Sequence, residues 1–283
     1  MTTSIRGRST GFTSGGTLNP VERARRVWEF RRILALLIGR DLRVRYASSM
    51  LGYVWAVLDP LALSVVYWFL FTQVITRRVG FPPYILFLVA GQLAWQWING
   101  SINGTLGALR SESQMVRSSN VPRELWVLRV VLSKGVEYVF SLPVLAMFAV
   151  AYTKAPNHYI LYFPLALLMA VLFATGIGLI LAPAAVLVRD LRSVVRISTR
   201  ALFFLSPILY SLHDLDHGGR KANIKDIVSW NPVAGIMSLI RAPFFPQELN
   251  WADVEHAAIV IVVIFVIGVW SFNRLERPML KEV

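Results

Sequence analysis

The 283-residue sequence contains no cysteine, which excludes disulfides, thiolate metal sites and cysteine nucleophiles. It is also short of charge: Asp, Glu, Lys and Arg make up 16% of the residues, where a soluble domain carries about a quarter. Acids are the scarcer sign, 16 against 29 basic residues, and the formal net charge is +13. No GxxxxGK[ST] pattern occurs, so the chain has no P-loop of its own in which to cradle ATP phosphates. Its first 20 residues contain no apolar stretch of signal-peptide kind; rich in Ser, Thr and Gly with Arg6 and Arg8, they predict a flexible cytoplasmic leader over 1–22.

Apolar residues are abundant at 55%, with 12% aromatics. That content excludes disorder and exceeds what one aqueous core accommodates, so the composition predicts an all-α polytopic membrane protein. A membrane helix needs about 20 predominantly apolar residues. Runs free of Asp, Glu, Lys and Arg, extended where a long side chain at a helix end can snorkel, predict six spans at about 55–76, 84–108, 131–152, 159–188, 197–212 and 256–273. They form a transmembrane domain over 51–275, followed by a cytoplasmic tail at 276–283. Cytoplasmic loops are enriched in Lys and Arg. Placing both termini in the cytoplasm puts 22 of the 29 basic residues on that side. The positive charge is thereby read as a topological signal, and no nucleic-acid partner is required to explain it.

Three segments outside the spans carry a pattern. Over 23–50, Val27, Phe30, Leu34, Leu37 and Ile38 recur at helical spacing among Arg23, Arg26, Arg31, Arg32, Arg40 and Arg43. This predicts an amphipathic interface helix with its arginines near anionic lipid head groups. Between the second and third spans, the polar stretch 110–126 predicts a short helix and a restart marked by Pro122, whose missing N–H costs nothing in a first helical turn. Between the fifth and sixth spans, Asn231 as N-cap and Pro232 at the first position start an external helix with Val233, Ile236, Met237 and Ile240 on one face. The segment is too short to cross the membrane and is read as re-entrant.

Chemistry-bearing residues are few. His213, Asp214, Asp216 and His217 suggest a metal cluster, but a solvated loop is the better reading, and neither a metal site nor a catalytic residue is assigned. Glu137 lies three residues from Lys134, where a helix pairs the two, which leaves little support for a proton relay. The second span is more informative. Gln92, Gln96, Asn99 and Asn103 share one helix face, with Trp95 and Trp97 beside them. Interhelical hydrogen bonding, aided by Gly100 and Gly104 as a close-packing pair, would explain them. So would a lumen offering uncharged donors and acceptors to sugar hydroxyls, with Tyr67, Trp68, Phe203, Phe204 and Tyr210 as stacking faces. The absence of fixed positive charge on this amide face favours a neutral glycan.

The segment Arg40-Asp41-Leu42-Arg43-Val44-Arg45-Tyr46, with Leu51-Gly52-Tyr53-Val54-Trp55 and Asp59-Pro60-Leu61 after it, resembles the entry to the first span in ABC-2 type permeases that export polysaccharides and polyol phosphates. Further along, Val121-Pro122-Arg123-Glu124-Leu125, Val188-Arg189-Asp190-Leu191-Arg192, Phe204-Leu205-Ser206-Pro207-Ile208-Leu209-Tyr210 and Asn231-Pro232 resemble that family in the same order, over roughly 27–275. The resemblance implies a homodimer in the bacterial cytoplasmic membrane, joined by two copies of a separate ABC ATPase that binds ATP and Mg, with no cofactor in this chain. It implies export of a lipid-linked glycan such as O-antigen, teichoic acid or cell-wall galactan. ATPase coupling would fall at Glu112, Arg117, Asn120 and Arg123, with Arg31, Arg32 and Arg40 nearby. The alternatives are a drug or lipid exporter of the same superfamily, an intramembrane glycosyl- or acyltransferase, which would need convergent acids or histidines, and a purely structural membrane protein, which leaves the coupling-type loop unexplained.

Overall fold

The computed structural model describes residues 20–46, 54–74, 80–118, 121–188, 190–215 and 225–282. Among these residues there is no strand. The helices are α1 (Pro20–Glu29), α2 (Arg31–Tyr46), α3 (Trp55–Phe69, continued by a π turn over Leu70–Val74), α4 (Tyr84–Thr105), α5 (Ser113–Ser118), α6 (Glu124–Ala151), α7 (Phe163–Leu187), α8 (Leu191–Leu205), α9 (Pro232–Arg241) and α10 (Trp251–Glu282). Four helical segments, Tyr84–Thr105, Glu124–Ala151, His158–Leu187 and Trp251–Glu276, are long and apolar enough to cross a membrane.

The centre of the fold is α4. Residues Leu86 to Ala90 have no exposed surface, because α4 packs against α3, α6, α7, α8 and α9 together. A helix apolar on all sides is stable only when surrounded in this way. One flank of α4 lies close to α6: a Cβ on Gly104 would stand 2.7 Å from Val130 Cγ1, and one on Gly100 3.2 Å from Lys134 Cδ. Trp97 is on the same flank, donating to the Val131 carbonyl at 3.2 Å and stacking on Tyr138 at 5.1 Å between ring centroids. The amides lie on the neighbouring face, where Gln96 borders both flanks.

The most extensive helix pair is α7 with α10. They cross backbone to backbone at Gly176 and Gly268; a Cβ on Gly176 would lie 2.9 Å from Phe265 Cα, and one on Gly268 would overlap the Gly176 carbonyl. In lipid such contacts supply association that the hydrophobic effect does not. Gly268→Ala is expected to lower stability by about 1–3 kcal/mol, the usual cost of overpacking, read as a lower thermal midpoint in detergent. Gly39→Ala serves as the control, since its new Cβ would meet only Arg43, at 3.8 Å.

Helix bounds differ from the sequence expectation in physically simple ways. The amphipathic segment is two helices divided at Phe30, and Val27, Phe30, Leu34, Leu37 and Ile38 are all half-buried while Arg26, Arg31, Arg32 and Arg43 are exposed. Leu37 packs on a second core at one end of the bundle, formed by Trp126, Leu179, Val186 and Phe272 among others. The predicted third span starts seven residues early, at Glu124: Pro122 marks the restart, its carbonyl accepting from Leu125 N at 3.0 Å. The expected fifth span, 197–212, is instead a helix from Leu191 to Leu205. Ser206 is extended (φ −95°, ψ 148°), as a residue preceding proline favours. α10 continues through the expected tail at 276–283 as far as Glu282. The leader at 1–22 lies outside the described residues up to position 19, and α1 starts at Pro20.

The segment after α8 forms a cap. Asn231 accepts from Val233 N at 3.0 Å as N-cap, Pro232 opens α9, and every residue of α9 from Val233 to Arg241 is buried. Arg241, fully buried, donates to the carbonyls of Pro207 and Ile208 at 2.6 Å each. It also lies 3.6 Å from the Glu248 carboxylate and 3.5 Å from the centre of the Phe87 ring.

Candidate functional site

Helices α3, α4 and α8 enclose a cleft of about 610 Å³. From α4 come Gln92, Trp95, Gln96 and Asn99, from α3 Ala62, Leu63 and Tyr67, and from α8 Thr199, Arg200, Phe203 and Phe204. Phe203 is the hub of the aromatic part, 6.0 Å from Tyr67, 5.7 Å from Trp95 and 5.0 Å from Phe204 between ring centroids. Among the described residues, Gln92 Nε2 and Gln96 Oε1 have no hydrogen-bond partner. Among the described residues the lining thus combines uncharged amides with aromatic faces and one charged side chain, that of Arg200.

Six of the nine residues expected in a lumen line this cleft: Gln92, Gln96, Asn99, Tyr67, Phe203 and Phe204. The other three are elsewhere. Asn103 donates to Asn99 Oδ1 at 2.8 Å and to Thr199 Oγ1 at 3.4 Å, so it bonds one helix to another as the packing reading expects. Trp68 packs against the main core. The Tyr210 hydroxyl donates to the Leu205 carbonyl at 3.2 Å, because the helix that would have carried it on one face has already ended. Sequence reasoning missed Thr199 and Arg200 as lining residues. The signal was present: Arg192, Arg196 and Arg200 recur at a spacing of four beside Thr199 and Phe203, which makes α8 amphipathic.

The residues expected at the coupling surface are distributed as follows. Glu112, between α4 and α5, accepts from Arg40 of α2 and, at 3.0 Å, from Arg129 of α6. Arg129 Nε also lies 3.0 Å from Asp41. Two helices and a turn are therefore clamped by four alternating charges, of which Asp41 and Arg129 were not anticipated. Burial alone would raise the Glu112 carboxyl, but hydrogen bonds from Arg129 and Arg40 outweigh it and hold the group below the ordinary glutamate range. A carboxyl lowered in the folded state contributes stability in full above its unfolded pKa of about 4.3 and loses it as pH falls through the folded value. Thermal stability should therefore drop on acidification below about pH 4.3, and less steeply in Glu112→Gln.

Arg123 pairs with Glu276, tying the start of α6 to α10. Arg31 is exposed, donates to the Trp28 carbonyl at 3.2 Å and lies over that ring, and Arg32 is exposed. Arg117 lies in α5, but its side chain is outside the described residues, as is Asn120. Glu137 pairs with Lys134 at 2.6 Å, as the spacing predicts, and with Arg45 as well.

Of the four residues weighed as a metal cluster, Asp216 and His217 lie outside the described residues. The Asp214 carboxylate accepts from the backbone N–H of Gly80 and of Ser211, both at 2.8 Å, so it fastens the loop before α4. His213 Nε2 is 2.6 Å from the Gln247 carbonyl. Among the described residues no group of three His, Asp or Glu could hold a metal ion.

Known proteins resemble this chain over most of its length. The O-antigen export system permease protein RfbA of Klebsiella pneumoniae is 29% identical over 245 residues, 86% of this chain and 92% of its own length. The protein of that name from Myxococcus xanthus is 28% identical over 259 residues, 91% and 97% of the two chains. The polysialic acid transport protein KpsM of Escherichia coli is 23% identical over 264 residues, 92% of this chain and all of its own length. The family model for ABC-2 type transporters matches residues 33–245, from α2 through α9 and so across every helix that borders the cleft, and the chain belongs to that family.

Proposed function

We propose that this chain is the membrane-spanning permease of an ATP-driven exporter that moves lipid-linked polysaccharide across the bacterial cytoplasmic membrane. The observation that carries the reading is the cleft: three uncharged amides and four aromatic side chains on facing helices, around a volume of about 610 Å³. Amides pair with hydroxyls without demanding a charge, and aromatic faces pack on the apolar faces of sugar rings. A drug or lipid exporter of the same superfamily would be served by a greasier lining, and a transferase would need acids or histidines converging there.

In this reading six segments cross the membrane. Besides the four long helices, α3 with its π turn runs about 30 Å at 1.5 Å per residue, the thickness of a bilayer core. Shorter α8 completes the set, α9 enters from outside as a re-entrant helix, and both termini are cytoplasmic. Two copies of the chain join two copies of a separate ABC ATPase, which binds ATP and Mg. That ATPase docks against α5 and the turns beside it, with Glu112, Arg117, Asn120 and Arg123 at or near the contact. Arg31, Arg32 and Arg40 carry the push into the interface helices. The charge clamp from Arg40 and Asp41 to Glu112 and Arg129 supports this role, because movement of the α5 turn is passed directly to α2 and α6.

Reconstitution with its partner ABC ATPase tests the proposal. ATP hydrolysis stimulated by lipid-linked glycan is expected from the pair and from neither protein alone. Glycan transport by this chain alone, driven by a proton gradient, would overturn it.

A further inference from the structure

A second cavity lies apart from the cleft, and the export reading leaves it unused. Its volume is about 640 Å³, and none of its lining residues also lines the cleft. Helix α6 contributes Leu142, Leu145, Ala146 and Ala149. Ile160 and Phe163 come from the start of α7 and the turn before it, and Pro243 and Phe244 from the turn after α9. Ala146 and Ala149, about one helical turn apart, leave room that larger side chains would fill. Among the described residues Lys154 is the one charged member of the lining. It is also the only Asp, Glu, Lys or Arg between Glu137 and Arg189. Lys154 is exposed, and among the described residues no carboxylate pairs with it. Its ammonium lies 5.9 Å from the centre of the Phe245 ring. The turn that carries it is firmly held. Thr153 has φ +53°, a conformation that β-branched residues avoid and that persists only where surrounding contacts impose it. Lys154 N donates to the Ala149 carbonyl at 2.8 Å, and Asn157 ties the turn to the end of α9 by donating to the carbonyls of Pro243 at 2.8 Å and Ala242 at 3.0 Å.

We infer that this groove is a binding site for an anionic phospholipid of the outer leaflet, with one acyl chain along the apolar lining and the head-group phosphate at Lys154. The inference rests on the export reading for the leaflet alone: with both termini cytoplasmic, the turn between α6 and α7 is external. External loops are poor in Lys and Arg, so a lone lysine beside an apolar groove runs against the general trend. Charge complementarity selects the occupant. A second copy of this chain, or any other apolar helix laid in the groove, would cover an ammonium without supplying a counter-charge, which is costly. A loose anion would satisfy Lys154 and leave the apolar lining unused. A phospholipid carries both halves in one molecule, and basic pockets beside membrane helices bind acidic head groups in this way. Choline and ethanolamine head groups bring a cation of their own, so a head group with net negative charge gains most from Lys154.

The test exploits the lack of cysteine in the chain. Ala155→Cys, beside Lys154 in the lining, is labelled with bimane before assembly with the partner ATPase in nanodiscs of phosphatidylcholine. Val262→Cys, exposed on α10, is the control. Phosphatidylglycerol and phosphatidylcholine, each bearing a nitroxide on one acyl chain, are compared as quenchers. At Ala155→Cys phosphatidylglycerol is expected to associate about tenfold more strongly than phosphatidylcholine, the scale of a hydrogen bond to a charged group; at Val262→Cys the two should be equal. Added to the Ala155→Cys chain, Lys154→Gln should abolish the preference and Lys154→Arg should keep it. Ala146→Trp, which fills the groove from an exposed position, should weaken quenching by both lipids, and an unchanged thermal midpoint separates these effects from misfolding. Equal quenching by the two lipids at Ala155→Cys, the same preference at Val262→Cys, or a preference that survives Lys154→Gln overturns the inference. So does quenching by neither lipid at Ala155→Cys alone, as when another protein chain covers the groove, and so does displacement of the lipid by glycerol phosphate. An impermeant maleimide should label Ala155→Cys from outside intact cells; labelling from the cytoplasmic side alone overturns the leaflet and the topology together. ATPase stimulation by lipid-linked glycan in the same particles reports on export separately. Stimulation without a lipid preference removes the phospholipid site and leaves the exporter standing.

Discussion

Replacing Gln96 and Asn99 together by leucine is expected to lower ATP-dependent glycan export by about 10- to 100-fold while leaving the complex assembled. Both side chains line the cleft, and Gln96 Oε1 has no hydrogen-bond partner among the described residues. A net hydrogen bond is worth about 0.5–1.5 kcal/mol, so two amides contacting hydroxyls at the transport barrier contribute about 1–3 kcal/mol, which sets the expected range of rates. Leucine is close in size and better tolerated in a membrane bundle, so copurification with the ATPase and the thermal midpoint should not fall. The effect also separates the two explanations of the amide face. Asn103, bonded to Asn99 and Thr199, is the packing member; its replacement should reduce stability before it reduces transport. Export within twofold of wild type in the Gln96→Leu/Asn99→Leu protein would mean that the amides serve helix packing alone.

The second large effect is expected at Arg241→Met, a loss of about 3–5 kcal/mol, as when one member of a buried ion pair is removed. Arg241 is fully buried and satisfies the carbonyls of Pro207 and Ile208, exposed to each other by the break after α8, while facing Glu248. Methionine fills the space but leaves two carbonyls unpartnered and the Glu248 carboxylate, which still accepts from Ser211, without its counter-charge. Adding Glu248→Gln should recover part of the loss, since an uncharged amide is cheaper to bury than an unpaired carboxylate. Thermal unfolding of the single and double variants measures both effects; a double variant no better than the single would mean that the carbonyl bonds, not the ion pair, carry the cost.

Much of this was legible in the sequence because helical periodicity is a local property. The amide face of α4, the two-sided pattern of α1 and α2, the Pro122 restart and the Asn231-Pro232 cap are all set by residues within a few turns of one another. What periodicity does not encode is where a helix ends against its neighbours and which distant partners its charges meet. Tyr210 was assigned to a lumen because an apolar run continues past Ser206, but the proline that follows ends α8 first. Arg129 looks like one more cytoplasmic positive charge until the fold brings Asp41 and Glu112 to it from 88 and 17 residues away. In the sequence Arg241 is only the basic residue that follows an apolar run, whereas the packing of α9 against α4 makes it the most deeply buried charge of the cap. Arg200 is in the sequence one more basic residue beside an apolar run; its place in the cleft depends on how α8 is rotated against α3 and α4.

The central claim, that this chain forms the route by which a lipid-linked glycan leaves the cytoplasm, is tested most directly by watching the glycan cross. In proteoliposomes containing the chain and its ATPase, with the ATPase facing outwards, externally added lipid-linked glycan should become protected from an external lectin or glycosidase. This should require ATP and the wild-type cleft, and be slowed by Gln96→Leu/Asn99→Leu. Protection that appears at the same rate without ATP, or equally in the leucine variant and the wild type, would contradict the account.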